Sequence, residues 1–84
     1  MTDIAGRNVL VTGGGSGLGR RMAHRMAKQG ATLILWDINE PNLQKVTTEL
    51  KDLTGRPAHG YRCDVSNRRD VYATADRVRA EVGP

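Results

Sequence analysis

Five glycines crowd into seven positions of the run Thr12-Gly13-Gly14-Gly15-Ser16-Gly17-Leu18-Gly19. Where side chains vanish, backbone N–H groups can reach a ligand directly, which suits a phosphate oxygen better than a carbon skeleton. The register matters. The spacing Gly-x-Gly-x-x-Gly is met by no three of these glycines, whereas Gly-x-x-x-Gly-x-Gly is met by Gly13, Gly17 and Gly19. Gly13 would turn the chain off a strand, Gly17 would let backbone approach a pyrophosphate, and Gly19 would let a helix pack closely. A flexible turn with no ligand is the plainer alternative, and the surrounding residues decide between them.

The next informative residue is Asp37, 18 positions after Gly19. An acid about 20 residues beyond such a loop can accept hydrogen bonds from the 2′- and 3′-hydroxyls of an adenosine ribose. The same carboxylate would repel a 2′-phosphate, so NAD is favoured over NADP.

Other chemistries fail on spacing. His24 and His59 stand apart, each without a second metal ligand at useful spacing, so no metal site is expected and structural or exposed roles are. Cys63 is the sole cysteine, which excludes an internal disulfide and reads as a strand residue packed inside. The pair Gly14 and Gly19 has P-loop spacing, but Arg20-Arg21 stands where Lys-Ser/Thr is required. A methyltransferase would also carry an acid after its second strand, yet its loop usually follows an acid, and here Thr12 takes that place.

The elements that must hold these residues follow from periodicity. Val9-Leu10-Val11 is a continuous apolar run stopped by glycine, as in a buried parallel strand. From Leu18, residues Met22, Ala23, Met26 and Ala27 form a helical stripe, with Arg20, Arg21, His24, Arg25 and Lys28 opposite and Gly30 as the stop. Leu33-Ile34-Leu35-Trp36 is a second strand ending at Asp37. A helix then starts at Asn39 or Glu40 with Pro41 in its first turn, and carries Leu43, Val46, Leu50 and Leu53 to Gly55. A weaker strand spans about Ala58 to Cys63. Ser66 is the expected N-cap of a last helix bearing Val71, Ala75, Val78 and Val82, ended by Gly83-Pro84. The order β-α-β-α-β-α makes an α/β fold, the first half of a doubly wound Rossmann parallel sheet.

At 84 residues the chain holds at most one small domain, with 38% apolar and 26% charged residues, an ordinary globular balance. The net charge of +4 comes from cations scattered along the chain, and Trp36, Tyr61 and Tyr72 lie outside any basic cluster. A nucleic-acid partner is therefore not expected. No run approaches the roughly 20 apolar residues that span a bilayer, and Met1-Thr2-Asp3-Ile4 turns polar at once, so a cytoplasmic location is expected.

Thr12-Gly-x-x-x-Gly-x-Gly in this setting resembles the classical short-chain dehydrogenase/reductase family, over nearly the whole chain. The runs Leu35-Trp36-Asp37-Ile38-Asn39 and Asp64-Val65-Ser66-Asn67-Arg68 are similar to the branch that contains retinol and 17β-hydroxysteroid dehydrogenases. The resemblance implies an oxidoreductase that interconverts alcohols and carbonyls by hydride transfer with NAD(H). It implies that Ser16 and Leu18 sit on the phosphate loop, that Asp37 holds the ribose, and that Asp64-Val65 contacts the adenine. A base before the middle glycine or after the acid would mark NADP; Ser16 and Ile38 occupy those places. The family's Asn-Asn-Ala-Gly, serine and Tyr-x-x-x-Lys are not found: Val65 follows Tyr61 by four positions, and Asp76 follows Tyr72. No catalytic residue is thus assigned, and residues 1–84 are expected to be the front of one domain, cut before its fourth strand. The intact protein is expected to be roughly three times longer, a factor supplied by family size, and to form a homo-oligomer acting on a small alcohol or ketone. A nucleotide-binding Rossmann module without dehydrogenase activity is the alternative.

Overall fold

The computed structural model describes residues 5–83; the polar start Met1–Ile4 and Pro84 lie outside the described residues. The elements run β1 (Asn8–Thr12), α1 (Gly17–Lys28), β2 (Thr32–Asp37), α2 (Glu40–Thr54), β3 (His59–Arg62) and α3 (Arg68–Glu81). The three strands form one parallel sheet in the order β1-β2-β3, with Val11 opposite Leu35 and Trp36 opposite Tyr61.

The unbroken apolar run of β2 has a direct cause. Successive side chains of a strand point to opposite faces, and both faces of β2 are covered. Leu33 and Leu35 join Val11 in a core closed by Ala23 and Ala27 of α1 and by Leu43, Val46 and Leu50 of α2. Ile34 and Trp36 join Tyr61 and Cys63 on the other face, against Val71, Ala75 and Val78 of α3 and Val82 at its C-cap. The alanines of α1 bring that helix close to the sheet, and this fixes where its N-terminus emerges beside the glycine loop.

Three expectations change. Of Val9-Leu10-Val11 only Val11 is buried, and Leu10 is 48% exposed, because β1 is an edge strand of this sheet. Leu53 lies in the last turn of α2 and is 45% exposed. At 3.6 residues per turn it falls about 20° around the helix from the buried Val46, so its exposure comes from its place in the last turn and not from the face it occupies. The cap of α3 is Asn67, whose side chain accepts from the Asp70 N–H, and not Ser66. Ser66 is spent one step earlier, where its N–H and its hydroxyl both donate to Asp64 Oδ1.

The far end of α1 is closed by a residue outside it. Arg56, just past Gly55, donates from Nη1 to the Gly30 carbonyl at 2.7 Å and from Nη2 to the Ala27 carbonyl at 2.8 Å. A guanidinium at a helix C-terminus satisfies free carbonyls and opposes the negative end of the dipole. Gly30 itself has φ +98°, the left-handed stop expected of it.

Candidate functional site

The site lies where the three strands end. Gly13 leaves β1 with φ +68°, a conformation costly for any residue with a Cβ. Its N–H donates to the Trp36 carbonyl at 2.7 Å, and the Cys63 N–H donates to the Asp37 carbonyl at 3.0 Å. The loops after β1, β2 and β3 are thereby tied side by side at the carboxyl edge of the sheet, where open α/β sheets take their ligands. Gly13, Trp36, Asp37, Ile38, Cys63, Asp64 and Val65 line one cleft there, of about 180 Å³.

Asp37 is built into the loop it was expected to serve. Its Oδ2 accepts from the Gly15 N–H at 2.9 Å, and its Oδ1 accepts from the Asn39 N–H at 3.0 Å. The carboxylate is fixed by two backbone donors and keeps lone pairs on both oxygens for further partners. Ile38 and Val65 flank it and are 56% and 57% exposed. The Asp64 carboxylate is held below the usual carboxylate range, first by the Ser66 hydroxyl and then by the Ser66 N–H.

Ser16, Gly17, Leu18 and Gly19 form the start of α1, outside that cleft. Ser16 is the N-cap in extended conformation but makes no side-chain cap bond, and the first turn of α1 holds no acid. In contrast, α2 and α3 each have an asparagine cap and a first-turn acid, Glu40 and Asp70. The positive end of α1 is thus left uncompensated by the protein. Gly17 has φ +58°, and a Cβ there would meet nothing within 4 Å. Gly19 is different: a Cβ would sit 2.1 Å from the Gly13 carbonyl oxygen. Its close packing is therefore against the head of the loop itself. The side chain of Leu18 is 72% exposed and borders a second cleft beside β1 with Leu10, Met22 and Met26.

Periodicity did not reveal the bond between α1 and α2. Glu49 accepts from Arg20 Nε at 2.9 Å, and His24 Nε2 lies 3.0 Å from the same carboxylate oxygen. Arg20 and His24, expected on a solvated face, instead fasten the first half of the glycine-loop helix to α2. Two basic side chains one helical turn apart on α1, with a glutamate on the following helix, were the available signal. The guanidinium of Arg20, followed by His24, holds the Glu49 carboxyl below its ordinary value near 4.5. A folded-state value below the unfolded one means this contribution is complete above about 4.5 and is lost as pH falls through the lowered value. We expect the melting temperature to fall on acidification below that point, and Glu49→Gln to flatten the fall. The difference is small, since solvent screens both partners. Thermal melts of both proteins from about pH 6 to about pH 3 measure it.

The tyrosines divide as packing and surface residues. Tyr61 is buried beneath the Arg77 guanidinium, 5.1 Å from its ring centre, and Tyr72 is exposed. Cys63 is buried. Among the described residues no three His, Cys, Asp or Glu side chains gather as metal ligands, and no helix is long and apolar enough to cross a membrane.

A sheet, glycine loop and strand-end acid of this form define a Rossmann-type nucleotide module. The family pattern described as short chain dehydrogenase matches residues 7–84, and the chain belongs to that family. It is 47% identical over 81 residues to short-chain dehydrogenase/reductase family 16C member 6 of Bos taurus, covering 96% of this chain and 26% of that protein. It is 43% identical over 81 residues to epidermal retinol dehydrogenase 2 of Mus musculus, with 96% and 26% covered. Against estradiol 17-beta-dehydrogenase 11 of Homo sapiens it is 42% identical over 81 residues, with 96% and 27% covered. The chain therefore spans about a quarter of the length of these relatives. Among solved structures, a short-chain dehydrogenase/reductase from Burkholderia phymatum in complex with NAD superposes with TM-score 0.90, 36% identity and coverage of 99% of this chain and 29% of that one. L-Sorbose reductase from Gluconobacter frateurii, complexed with NADPH and L-sorbose, gives TM-score 0.89 and 28% identity, with 98% and 32% covered. The α/β architecture and the branch resemblance agree with these likenesses, and a nicotinamide cofactor is common to both structures.

Proposed function

We propose that residues 1–84 form the adenosine half of the cofactor site of an NAD-dependent oxidoreductase interconverting an alcohol and a carbonyl. The observation that carries this reading is the Asp37 carboxylate, fixed by Gly15 and Asn39 at the carboxyl edge of the sheet with lone pairs still available. The residues fit a dinucleotide on two further counts. Gly17 leaves open space at the uncapped start of α1, where free N–H groups and the helix dipole suit a pyrophosphate. Ile38 and Val65 expose apolar surface in the cleft that Asp37 and Asp64 also line, suited to an adenine.

Gly13 turns the chain so that the loop crosses in front of the sheet, and Ser16, Gly17, Leu18 and Gly19 present backbone donors to the phosphates. Asp37 accepts from the ribose hydroxyls and opposes a 2′-phosphate. No basic side chain stands at position 16 or 38 to receive one, and Arg20 is already paired with Glu49. The bound nicotinamide dinucleotide supplies the hydride chemistry. What these residues do is anchor and orient one end of it.

Titration of the full-length protein with NADH and NADPH, followed by nicotinamide fluorescence, tests this. NADH is expected to bind more tightly by about tenfold or more, the worth of one hydrogen bond to a charged group. Equal affinities would remove the role given to Asp37.

A further inference from the structure

Helix α1 carries four cations and no acid, and no Asp or Glu occurs anywhere between Asp3 and Asp37. Arg21, Arg25 and Lys28 follow one another at i, i+4 and i+7. They therefore stand in one row, within about 60° of arc and about 10 Å long. All three are exposed, and among the described residues none has an ion pair or a side-chain hydrogen bond. Glu49, the carboxylate that reaches α1, is already taken by Arg20 and His24. Helix stability does not account for the whole row. Arg25 and Lys28 oppose the negative end of the dipole, but Arg21 lies toward the positive end, where a cation gains nothing. The row also leads somewhere. Gly17, the open backbone position at the start of α1, lines the same cleft of about 700 Å³ as Arg21, Arg25 and Lys28.

Resting on the reading of that start as the pyrophosphate site, we propose that Arg21, Arg25 and Lys28 form a steering row. They draw the anionic dinucleotide along the cleft toward Gly17 and set how fast it binds, without holding it once bound. A cleft lined by one sign of charge raises the local concentration of a ligand of the other sign. Along the helix axis each cation stands about 6 Å or less from the next, and Arg21 about 6 Å from Gly17. The screening length at physiological salt is about 8 Å, so the fields of neighbours overlap along the whole path. No acid on α1 cancels them.

The test is stopped-flow association of NADH with the full-length protein, followed by nicotinamide fluorescence at about 0.01 M and about 1 M salt. Arg21→Gln/Arg25→Gln/Lys28→Gln is expected to lower kon about tenfold at the low salt, leave koff unchanged, and match wild type at the high salt. Arg21→Lys/Arg25→Lys keeps wild-type rates, because charge and not shape steers. Arg25 and Lys28 also support the end of the helix, so Arg21→Gln alone is the variant that least disturbs folding. It is expected to lose part of kon with the same salt dependence. A folded triple variant with wild-type kon at low salt, or one whose deficit lies in koff, overturns the proposal and leaves the phosphate site in place. Gly17→Val with wild-type NADH affinity overturns the reading of that site, and the proposal with it.

Discussion

Asp37→Ala in the full-length protein is expected to shrink the preference for NADH over NADPH by about tenfold or more, chiefly by weakening NADH. Two losses act together on NADH. The ribose diol loses a charged acceptor, and the loop loses the anchor at the Gly15 N–H. For NADPH the second loss is offset, because removing a carboxylate also removes its repulsion from a 2′-phosphate. Asp37→Asn separates these effects. Its amide oxygen can still accept one backbone N–H, so the loop stays tied, but the charge is gone. The asparagine variant is therefore expected to lose discrimination while keeping more of the stability than alanine does, but less than wild type, since its amide nitrogen cannot accept the second backbone N–H. Fluorescence titration paired with thermal melts reads the two quantities independently. A proportionate loss of NADH and NADPH in both variants would reduce Asp37 to a loop anchor.

Gly19→Ala is expected to be the most damaging single methyl in the chain. Alanine is the better helix former by about 1 kcal/mol, and Gly19 has no positive φ to forbid it. Sterics decide instead. The added Cβ would stand 2.1 Å from the Gly13 oxygen, 2.8 Å from the Gly13 carbonyl carbon and 3.2 Å from the Gly14 Cα. These are backbone atoms, and Gly13 and Gly14 are held by the Trp36 carbonyl. The loop must lift or α1 must slide, and α1 is fastened by Glu49 at one end and Arg56 at the other. Overpacking of this kind costs about 1–3 kcal/mol. A displaced loop is expected to lower dinucleotide affinity by about tenfold or more, the worth of one hydrogen bond to a charged group. Urea denaturation and NADH titration of the full-length variant measure the two effects; wild-type values in both would show that the loop is slack.

Much of this was legible because glycine and aspartate leave strong signatures. The register Gly13, Gly17, Gly19 followed from spacing alone, and the apolar run of β2 announced a strand covered on both faces. What was not legible depends on neighbours far away in sequence. Gly15 belongs to no motif spacing, and what a side chain there would meet is known only once β2 brings Asp37, and the first turn of α2 brings Asn42, beside the loop. Glu49 reads as a surface charge until α2 lies beside α1. Arg56 reads as a loop residue until the end of α1 arrives beneath it. Ser66 and Asn67 are both good N-caps, and only the demand of Asp64 for the serine settles which one caps α3. Leu18 followed the apolar pattern of α1, yet its side chain faces the open side of β1. Periodicity reports a face of a helix but not what covers that face.

The most direct measurement is a crystal structure of the full-length protein with NADH bound. The predicted result places both adenosine-ribose hydroxyls within about 3.2 Å of the Asp37 carboxylate, with Gly15 and Asn39 still donating to it and the pyrophosphate against the Gly17 backbone. A dinucleotide whose ribose turns away from Asp37, or whose pyrophosphate lies clear of the start of α1, would contradict it.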